Sequence, residues 1–464
     1  MSTFDSQETR LTTYPIKHND IFRMYKLQIS AFWTPEEINL HNDYKDWEQL
    51  SENEQFFLKQ ALAFFAASDT IVSMNLLERF LNDISTIEIR YFYTFQAAME
   101  NIHCVSGDTF ILTDKGEIQI YKLVNTYVNI WNGEEFTEVL IKHTGYQQLY
   151  NITLSNGTVL KCTNQHKWFI KDINNDTISR RIVFTENLCK GDIIYPFKLP
   201  NGCLYDDLYI HDISLIDGVF KTYCFNESKL HAGTFNNIVT GQSETYSLLI
   251  DTYIKDINEK TSLLNSIINN DIIKLKAQWA IKWIKSSESF PIRLLAFIIV
   301  EGIFFCSSFA SIFWIRTRNI LYGLCQANEL IFKDECMHRD FGCYLYNKMY
   351  NCDNDSNSQL LSSTTTRLHQ SLVHDMVNDA VNIECEFVRK SLPYNLEGMN
   401  YNLMVQFIQY VADCLLLQLN YDKLYNSSNP FHFMEFNIDK KTSFFERKQT
   451  DYMKSITNEQ LELF

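Results

Sequence analysis

Met99-Glu-Asn-Ile-His-Cys104 and Gly241-Gln-Ser-Glu-Thr-Tyr246 are the two places where the character of this 464-residue sequence changes. Outside them, for example in residues 51–103 and 243–350, apolar side chains recur at three- and four-residue intervals, which predicts buried helices. The range from Gly107 to Gly241 contains 10 of the 14 glycines, and the first 103 residues contain none. Because glycine supplies the positive φ angles of tight turns, we expect the middle of the chain to be rich in turns.

The middle region also has the alternation that is typical of β-strands. In the stretch 150–161, β-branched runs flank Asn156-Gly157, a pair that favours a type I′ hairpin turn. The sequence therefore predicts an all-β insert, 104–242, within an all-α protein made of the segments 1–103 and 243–464. An insert of this size is expected to have its own core and to form a domain.

Composition argues against several classes of protein. The formal net charge of −15 and the pI near 5.2 disfavour a nucleic-acid-binding protein, which needs a basic surface. The 12 cysteines are scattered without a C-x-x-C pair, which favours free thiols in a reducing compartment. The chain has no signal-peptide pattern, and no charge-free run of about 18 apolar residues is apparent, so we expect a cytoplasmic protein without a membrane span.

Four segments of the helical part carry residues that bind metals. Two of the segments have the pattern E-x-x-H, which places a carboxylate and an imidazole on one helix face, and the other two place single carboxylates in apolar helices. Carboxylate-rich sites with one histidine per metal suit iron or manganese better than zinc, and this arrangement is typical of a ferritin-like di-metal bundle. The candidate metal ligands are Asp69, Glu100, His103, Glu301, Glu335 and His338.

These motifs resemble the iron-binding helices of the small subunits of ribonucleotide reductases of the eukaryotic and viral type. The resemblance rests on FFAASD (64–69), E-x-x-H (100–103), VEGIFF (300–305), SFASIFW (308–314) and NELIFKDECMH (328–338), and on SAFWTPEEI, GMNYNLMVQFIQYVAD, NPFHFME and SFFER. It covers nearly all of residues 15–103 and 243–455. It implies two oxo-bridged iron ions held by the six ligands, with manganese as an alternative metal. It also implies a homodimer and a C-terminal tail that docks on a large subunit.

The resemblance also implies where the radical tyrosine belongs. In that family this tyrosine follows the first E-x-x-H by four residues, but position 107 of this chain is glycine. If residues 104–242 are removed, Tyr246 follows His103 by four residues, one helical turn away on the same face. Tyr246 is therefore the candidate radical residue.

Further positions match the family's path for transferring the radical. Trp33 and Asp334 resemble the chain that connects the metal site, through His103, to the surface. Tyr452, in the C-terminal tail, resembles the relay tyrosine that passes the radical to the large subunit. The resemblance also implies an apolar pocket around the radical, lined by Phe305, Phe309 and Ile331.

The insert carries motifs of its own, which resemble those of a mini-intein with the all-β HINT fold. The matching residues are Cys104, Thr163, His166, Cys224, His231, Gln242 and the following Ser243. A thiol at residue 104 can attack the preceding carbonyl carbon, and Thr163 and His166 would polarise that peptide bond and protonate its nitrogen. The hydroxyl of Ser243 would then accept the acyl chain.

Two residues at the end of the insert depart from the family pattern. The last residue of an intein is usually Asn, which closes a five-membered ring, whereas Gln242 must close a six-membered ring. The preceding residue is usually His, whereas this chain has Gly241. His231 and Cys224 are candidates to assist the C-terminal step, which we expect to be slow.

Two other interpretations remain open from the sequence. The helical part could be a di-iron oxidase, hydroxylase or ferroxidase, although Tyr246, Trp33 and Asp334 argue against this. The middle region could be a regulatory or binding domain that stays in place, although Cys104 and Gln242 at its edges argue against that. The interpretation favoured by the sequence is a radical-generating reductase subunit that removes its own insert.

Overall fold

The structure of the protein, a computed structural model, describes residues 14–33, 37–99, 104–164, 166–174, 177–202, 207–225, 227, 229–230, 232–241, 249–250, 252–264, 266–350 and 367–434. The helices before the β-rich region are α1 (Asn19–Ser30), α2 (Asp43–Trp47), α3 (Glu52–Asn75), α4 (Leu81–Asp83) and α5 (Ile87–Met99). Those after it are α6 (Ile257–Leu264), α7 (Ser266–Asn269), α8 (Asp271–Ile284), α9 (Phe290–Ile299), α10 (Cys306–Arg316), α11 (Tyr322–Tyr350), α12 (Gln370–Ser391) and α13 (Tyr401–Gln418).

The helices on both sides of the β-rich region share one hydrophobic core. Buried residues from Ile21 to Ala97 and from Leu249 to Met434 belong to a single cluster of apolar side chains. The two sequence segments therefore fold together as one helical bundle, because neither buries its apolar faces without the other.

A long apolar stretch runs through the centre of this bundle. Phe290–Arg316, which includes α9 and α10, is long and apolar enough to cross a membrane by length and composition, with a mean hydropathy of 2.1. The sequence alone predicts no membrane span, so a helical stretch of this length and hydropathy was not anticipated. Its most apolar window is entirely buried inside the protein, so the apolar composition is explained by burial in the core.

Two π-helical turns interrupt the regular helices. They are Leu76–Phe80, directly after α3, and Val300–Phe304, between α9 and α10. A π turn adds one residue to the helical repeat and redirects the side chains that follow, and it is frequent at functional sites. The helical periodicity of the sequence predicts both regions as continuous helix and gives no indication of these turns.

The β-rich region contains two antiparallel sheets. The strands are β1 (Val105–Ser106), β2 (Phe110–Thr113), β3 (Gly116–Gln119), β4 (Tyr127–Trp131), β5 (Phe136–Leu140), β6 (Lys142–Gln147), β7 (Tyr150–Leu154), β8 (Val159–Cys162), β9 (Lys167–Asn174), β10 (Thr177–Phe184), β11 (Ile210–Leu215), β12 (Phe220–Cys224), β13 (Ala232–Phe235) and β14 (Ile238–Gly241). One sheet has the order β11-β7-β8-β1-β12-β6, and the other has the order β10-β9-β14-β13-β2-β4-β5 with β3 paired to β2. Their apolar side chains form clusters separate from the core of the helical bundle.

The predicted hairpin is present, but its predicted turn type is wrong. β7 pairs with β8, and Gly157 has a φ of +83°, but Asn156 is not among the residues with positive φ. A type I′ turn requires positive φ at both central residues. That condition is met instead between β13 and β14, where Asn236 and Asn237 have φ angles of 48° and 64°.

A fully buried ion pair joins α8 to α12 inside the bundle. The Nζ atom of Lys276 lies 2.6 Å from Oε2 of Glu384 and donates a hydrogen bond of 2.9 Å to the carbonyl oxygen of Phe304, at the end of the second π turn. The ammonium also lies over the rings of Phe64 and Phe387, 3.6 and 3.7 Å from their centroids. Burial lowers the pKa of Lys276 and raises the pKa of Glu384, and each charge opposes the shift of the other.

We expect Lys276→Met to destabilise the helical bundle by about 3–5 kcal/mol, because it leaves the Glu384 carboxylate buried without its counter-charge. Lys276→Met combined with Glu384→Leu removes both charges and should recover part of the loss. The measurement is urea unfolding followed by the helical circular-dichroism signal. If the double variant is no more stable than the single variant, the loss of stability does not come from the unpaired Glu384 charge.

Candidate functional site

Three of the predicted metal ligands lie together in the helical core. Glu301 is in the π turn Val300–Phe304, and Glu335 and His338 are three residues apart on α11. The three side chains are buried, and one ligand atom from each lies within 4.8 Å of the others. The E-x-x-H spacing explains this for Glu335 and His338, because positions i and i+3 of a helix share one face.

The chemistry of these donors fits a metal such as iron or manganese. Two carboxylates buried side by side are unfavourable unless a positive charge compensates them, and two oxygen donors with one imidazole are typical ligands of these metals. Burial raises the pKa of Glu335, but its contacts with Glu301 and His338 outweigh this effect and leave the pKa below its usual value.

The structure describes less of the other three predicted ligands. Asp69 lies within α3, but the position of its side chain is not described. Glu100 and His103 lie outside the described residues, directly after the end of α5 at Met99. Their assignment as ligands remains a prediction.

Two residues beside the cluster were missed by the sequence analysis. The amide nitrogen of Gln96, a fully buried residue of α5, donates a hydrogen bond of 3.3 Å to Oε1 of Glu301. Its sequence position, one helical turn before Glu100, is the signal that could have identified it. Tyr93, also fully buried, lies close enough that the Glu301 charge adds to the effect of burial, which raises the pKa of the Tyr93 phenol well above its usual value.

The predicted pair of Trp33 and Asp334 is in contact. The indole Nε1 of the buried Trp33 donates a hydrogen bond of 2.6 Å to Oδ2 of Asp334, the residue that precedes Glu335 on α11. Burial raises the pKa of Asp334 to about 7, although the charge of His338 and the Trp33 hydrogen bond oppose the shift. This hydrogen bond links Trp33 to α11, the helix that carries Glu335 and His338.

The predicted apolar pocket is lined by aromatic rings. Phe305, Phe309 and Ile331 are buried, and the rings of Phe305 and Phe309 lie 5.9 and 4.9 Å from the ring of Phe65. These side chains therefore belong to a closely packed apolar cluster. Tyr246 and Tyr452 lie outside the described residues, so the structure does not place them relative to this pocket.

A second candidate site lies in the β-rich region, around Cys104. Cys104 is fully buried, and its backbone N–H donates a hydrogen bond of 3.2 Å to Oγ1 of Thr163. The backbone N–H of Thr163 donates in turn to the carbonyl oxygen of Cys104 at 3.0 Å, and the amide of Gln147 lies 3.8 Å from the Cys104 sulfur. The structure therefore brings Thr163 against the predicted nucleophile, and Gln147 is a neighbour that the sequence analysis missed.

His166 lies three residues beyond Thr163 in a fully buried position. Its Nε2 atom shares a hydrogen bond of 2.8 Å with Oγ1 of Thr240 on β14, and burial lowers the pKa of His166 to about 3. The rings of Trp168 and Phe235 meet the imidazole nearly edge-on. His166 is therefore neutral near pH 7, and its ring is held in one orientation.

The other predicted residues of the insert are only partly described. Cys224 ends β12, and its thiol donates to the carbonyl oxygen of Phe225 at 3.5 Å. The preceding residue of β12, Tyr223, pairs with Val105 on β1, so the strand register brings the end of β12 beside the start of the insert. His231, Gln242 and Ser243 lie outside the described residues.

Comparison with known proteins identifies the family. A family model for "Ribonucleotide reductase, small chain" matches residues 10–160 and 216–430, and the interval it leaves out lies inside the β-rich region. The ribonucleoside-diphosphate reductase small chain of Trypanosoma brucei brucei is 34% identical over 447 residues, which cover 96% of this chain and 87% of that protein.

Comparison with solved structures gives the same fold for the helical part. The Rnr4 homodimer of the ribonucleotide reductase from Saccharomyces cerevisiae is 23% identical, with a TM-score of 0.54 over 92% of this chain and 87% of that chain. The gp41-1 intein is 21% identical and covers 30% of this chain and 98% of that chain, with a TM-score of 0.24 that by itself defines no fold for the region.

Proposed function

The chain belongs to the ribonucleotide reductase small-chain family, and on that premise we propose that it generates and stores a tyrosyl radical after removing residues 104–242 from itself. The radical would serve a large subunit that reduces ribonucleotides to deoxyribonucleotides. The observation that carries the reductase part is the buried cluster of Glu301, Glu335 and His338, in which two carboxylates and an imidazole converge inside a helical core.

In this proposal a di-metal centre is held by the cluster together with Asp69, Glu100 and His103. Iron is the proposed metal, and manganese shares the same donor preference. A bound di-metal centre, with molecular oxygen as the oxidant, would supply the capacity to remove one electron and one proton from a tyrosine. The chain's own contribution is to hold the carboxylates in place, through Gln96 at Glu301, and to keep water away from the site.

Tyr246 is the proposed radical residue. After ligation of His103 to Ser243 it would lie one helical turn beyond His103, on the same face. The buried rings of Phe305 and Phe309 support the proposal, because an apolar shell protects a radical from reaction with water. Trp33, Asp334 and Tyr452 would carry the radical to the large subunit, which the C-terminal tail would bind, and two copies of the spliced chain would form a homodimer.

The proposed removal of the insert takes four steps in which no atom is oxidised or reduced. The Cys104 sulfur attacks the carbonyl carbon of His103, and the bond to the Cys104 nitrogen breaks to give a thioester and a free amine. The Ser243 oxygen then takes the acyl group and releases the Cys104 thiol. The side-chain nitrogen of Gln242 attacks its own carbonyl carbon, which frees the insert and the Ser243 amine. That amine finally displaces the ester oxygen, so that a normal peptide bond joins His103 to Ser243.

The contacts of Thr163 support the first of these steps. The side-chain oxygen of Thr163 accepts from the N–H of Cys104, which belongs to the peptide bond that must break, and the backbone N–H of Thr163 donates to the Cys104 carbonyl oxygen on the other side of the residue. Together these contacts fix the orientation of Cys104. The terminal residues of the β-rich region, from Val105 to Gly241, lie one residue inside the two proposed junctions.

We expect intact-mass spectra of the expressed chain to show two products, the ligated segments 1–103 and 243–464 and the excised segment 104–242. Cys104→Ala together with Gln242→Ala should leave only the full-length precursor, because neither junction can be attacked. Cys189→Ala is a matched control, since Cys189 is an exposed thiol of the same region, and it should not alter the products. A wild-type chain that stays at full length would contradict the splicing proposal but would leave the reductase proposal unaffected.

We expect the spliced, iron-loaded protein to give the EPR signal of a tyrosyl radical. Tyr246→Phe should abolish the signal, because phenylalanine has no oxidisable hydroxyl group. Tyr93→Phe removes the hydroxyl of another tyrosine close to Glu301 and should retain it. Loss of the signal in the Tyr93 variant but not in the Tyr246 variant would mean that the assignment is wrong.

A further inference from the structure

One hydrogen bond connects the segment that contacts the first residue of the insert with the last strand of the insert. Thr163 and His166 belong to the same short segment between β8 and β9, and Thr163 contacts Cys104. His166 contacts Thr240, two residues before Gln242, through a bond of 2.8 Å between Nε2 and Oγ1. Both His166 and Thr240 are fully buried, so no water competes for this bond.

The direction of the hydrogen bond between Thr240 and His166 determines which nitrogen of the imidazole carries the proton. A neutral histidine has one N–H, and a hydroxyl can either donate to a bare ring nitrogen or accept from a protonated one. If Thr240 donates to Nε2, the only ring proton is on Nδ1, a buried atom without a hydrogen-bond partner among the described residues. That proton is then available to a group that approaches Nδ1.

We propose that Thr240 is a positioning residue for splicing, and that its hydroxyl donates to Nε2 of His166 and so holds the imidazole as the Nδ1–H tautomer. The inference rests on the proposed splicing function and adds to it a residue that no sequence motif marks. It concerns the side chain that orients the acid, and the acid itself would be His166.

The first step of splicing requires this tautomer. When the Cys104 sulfur forms its bond to the carbonyl carbon of His103, the nitrogen of Cys104 leaves and needs a proton. The Nδ1–H of His166 gives its proton to that nitrogen, and the thiol proton of Cys104 returns to Nδ1, so the net charge is unchanged. The alternative tautomer has its proton on Nε2, directed at Thr240, and cannot protonate the leaving nitrogen.

The packing around Gly241 leaves no room for a side chain next to Thr240 on β14. Gly241 pairs with Lys167 across β14 and β9, and a Cβ atom added to Gly241 would lie 2.7 Å from Cβ of Lys167 and 3.3 Å from Cζ of Phe169. A side chain at this position, including the histidine that is usual in inteins, therefore cannot be accommodated without displacing a strand. The hydroxyl of the preceding residue is the polar group of β14 that reaches His166.

The decisive variants are Thr240→Val, which has the same shape without the hydroxyl, and Thr240→Ser, which restores the hydroxyl. Both are made in the full-length chain with Ser243→Ala and Gln242→Ala, which block the acyl transfer and the C-terminal step, so that cleavage between His103 and Cys104 by added dithiothreitol reports thioester formation alone. We expect Thr240→Val to slow this cleavage about 10- to 100-fold, below the roughly 10²- to 10⁴-fold contribution of general acid catalysis, because the imidazole remains and only the preference for one tautomer is lost. Thr240→Ser should restore most of the rate.

Thr234→Val is the matched control. Thr234 lies on the neighbouring strand β13, is buried, and donates its hydroxyl hydrogen to the carbonyl oxygen of Trp131 at 2.9 Å. Its substitution removes an equivalent buried hydrogen bond without touching His166, and cleavage should stay within about twofold of the parent rate, since its hydroxyl has no role in proton transfer. Equal rates for Thr240→Val and the parent, or equal losses in the Thr240 and Thr234 variants, would overturn the proposal.

A second measurement separates this proposal from the splicing proposal itself. Nitrogen-15 NMR of labelled histidine distinguishes the two tautomers, and the signal of His166 is assigned from its loss in His166→Gln. We expect the Nδ1–H form in the chain with Ser243→Ala and Gln242→Ala and loss of that preference in Thr240→Val. An Nε2–H form in the parent would overturn the role of Thr240 even if splicing proceeds. Absence of cleavage in the parent with an Nδ1–H imidazole would instead contradict the splicing reaction.

Discussion

Two carboxylates buried next to each other in an apolar core require a compensating positive charge, and this requirement organises the helical part of the chain. Glu301 and Glu335 come from different helices, and each is held close to the other only because the whole bundle is packed around them. The π turn directs Glu301 into the core, and the three-residue spacing on α11 adds His338 to the same side. The packing of the bundle thus keeps Glu301 and Glu335 together although their proximity is electrostatically unfavourable.

The β-rich region begins just after α5, a helix that would continue in the proposed spliced protein. α5 ends at Met99, and the first strand begins at Val105, so the proposed ligands Glu100 and His103 occupy the connection between a helical bundle and a separate β core. The short segment that carries Thr163 and His166 contacts residues near both ends of the inserted region. Thr163 contacts Cys104 at the start, and His166 contacts Thr240 near the end. Removal of the insert would then restore both the continuous helix and the position of Tyr246 within it.

Much of this arrangement follows from the sequence, because it depends on local spacing. The E-x-x-H motif predicts the contact of Glu335 with His338, and the concentration of glycine predicts the turn-rich middle region.

Features that depend on distant parts of the chain could not be predicted from the sequence. Gln96 contacts Glu301 across 205 residues of sequence, and the partner of His166 lies 74 residues away, so neither pairing can be read from a local pattern, although the spacing of Gln96 from Glu100 places Gln96 on the same helix face. Backbone details were also beyond the sequence. The residues of the π turn at Val300–Phe304 are of types that also occur in α-helices, so the sequence does not distinguish the two. Packing against neighbouring helices determines where the one additional residue of the π turn is placed. The type I′ turn was expected at Asn156-Gly157, but the structure has it at Asn236-Asn237, because strand pairing and loop length decide the turn type.

The link between the two proposed activities can be measured in one time course. Precursor that has just been expressed is sampled as it splices, each sample is loaded with ferrous iron and oxygen, and the tyrosyl radical is counted by EPR while intact-mass spectrometry measures the ligated fraction. If splicing completes the radical site, the number of spins will be near zero in the precursor and will rise in proportion to the ligated product. A full tyrosyl signal in chains that still contain residues 104–242 would contradict it.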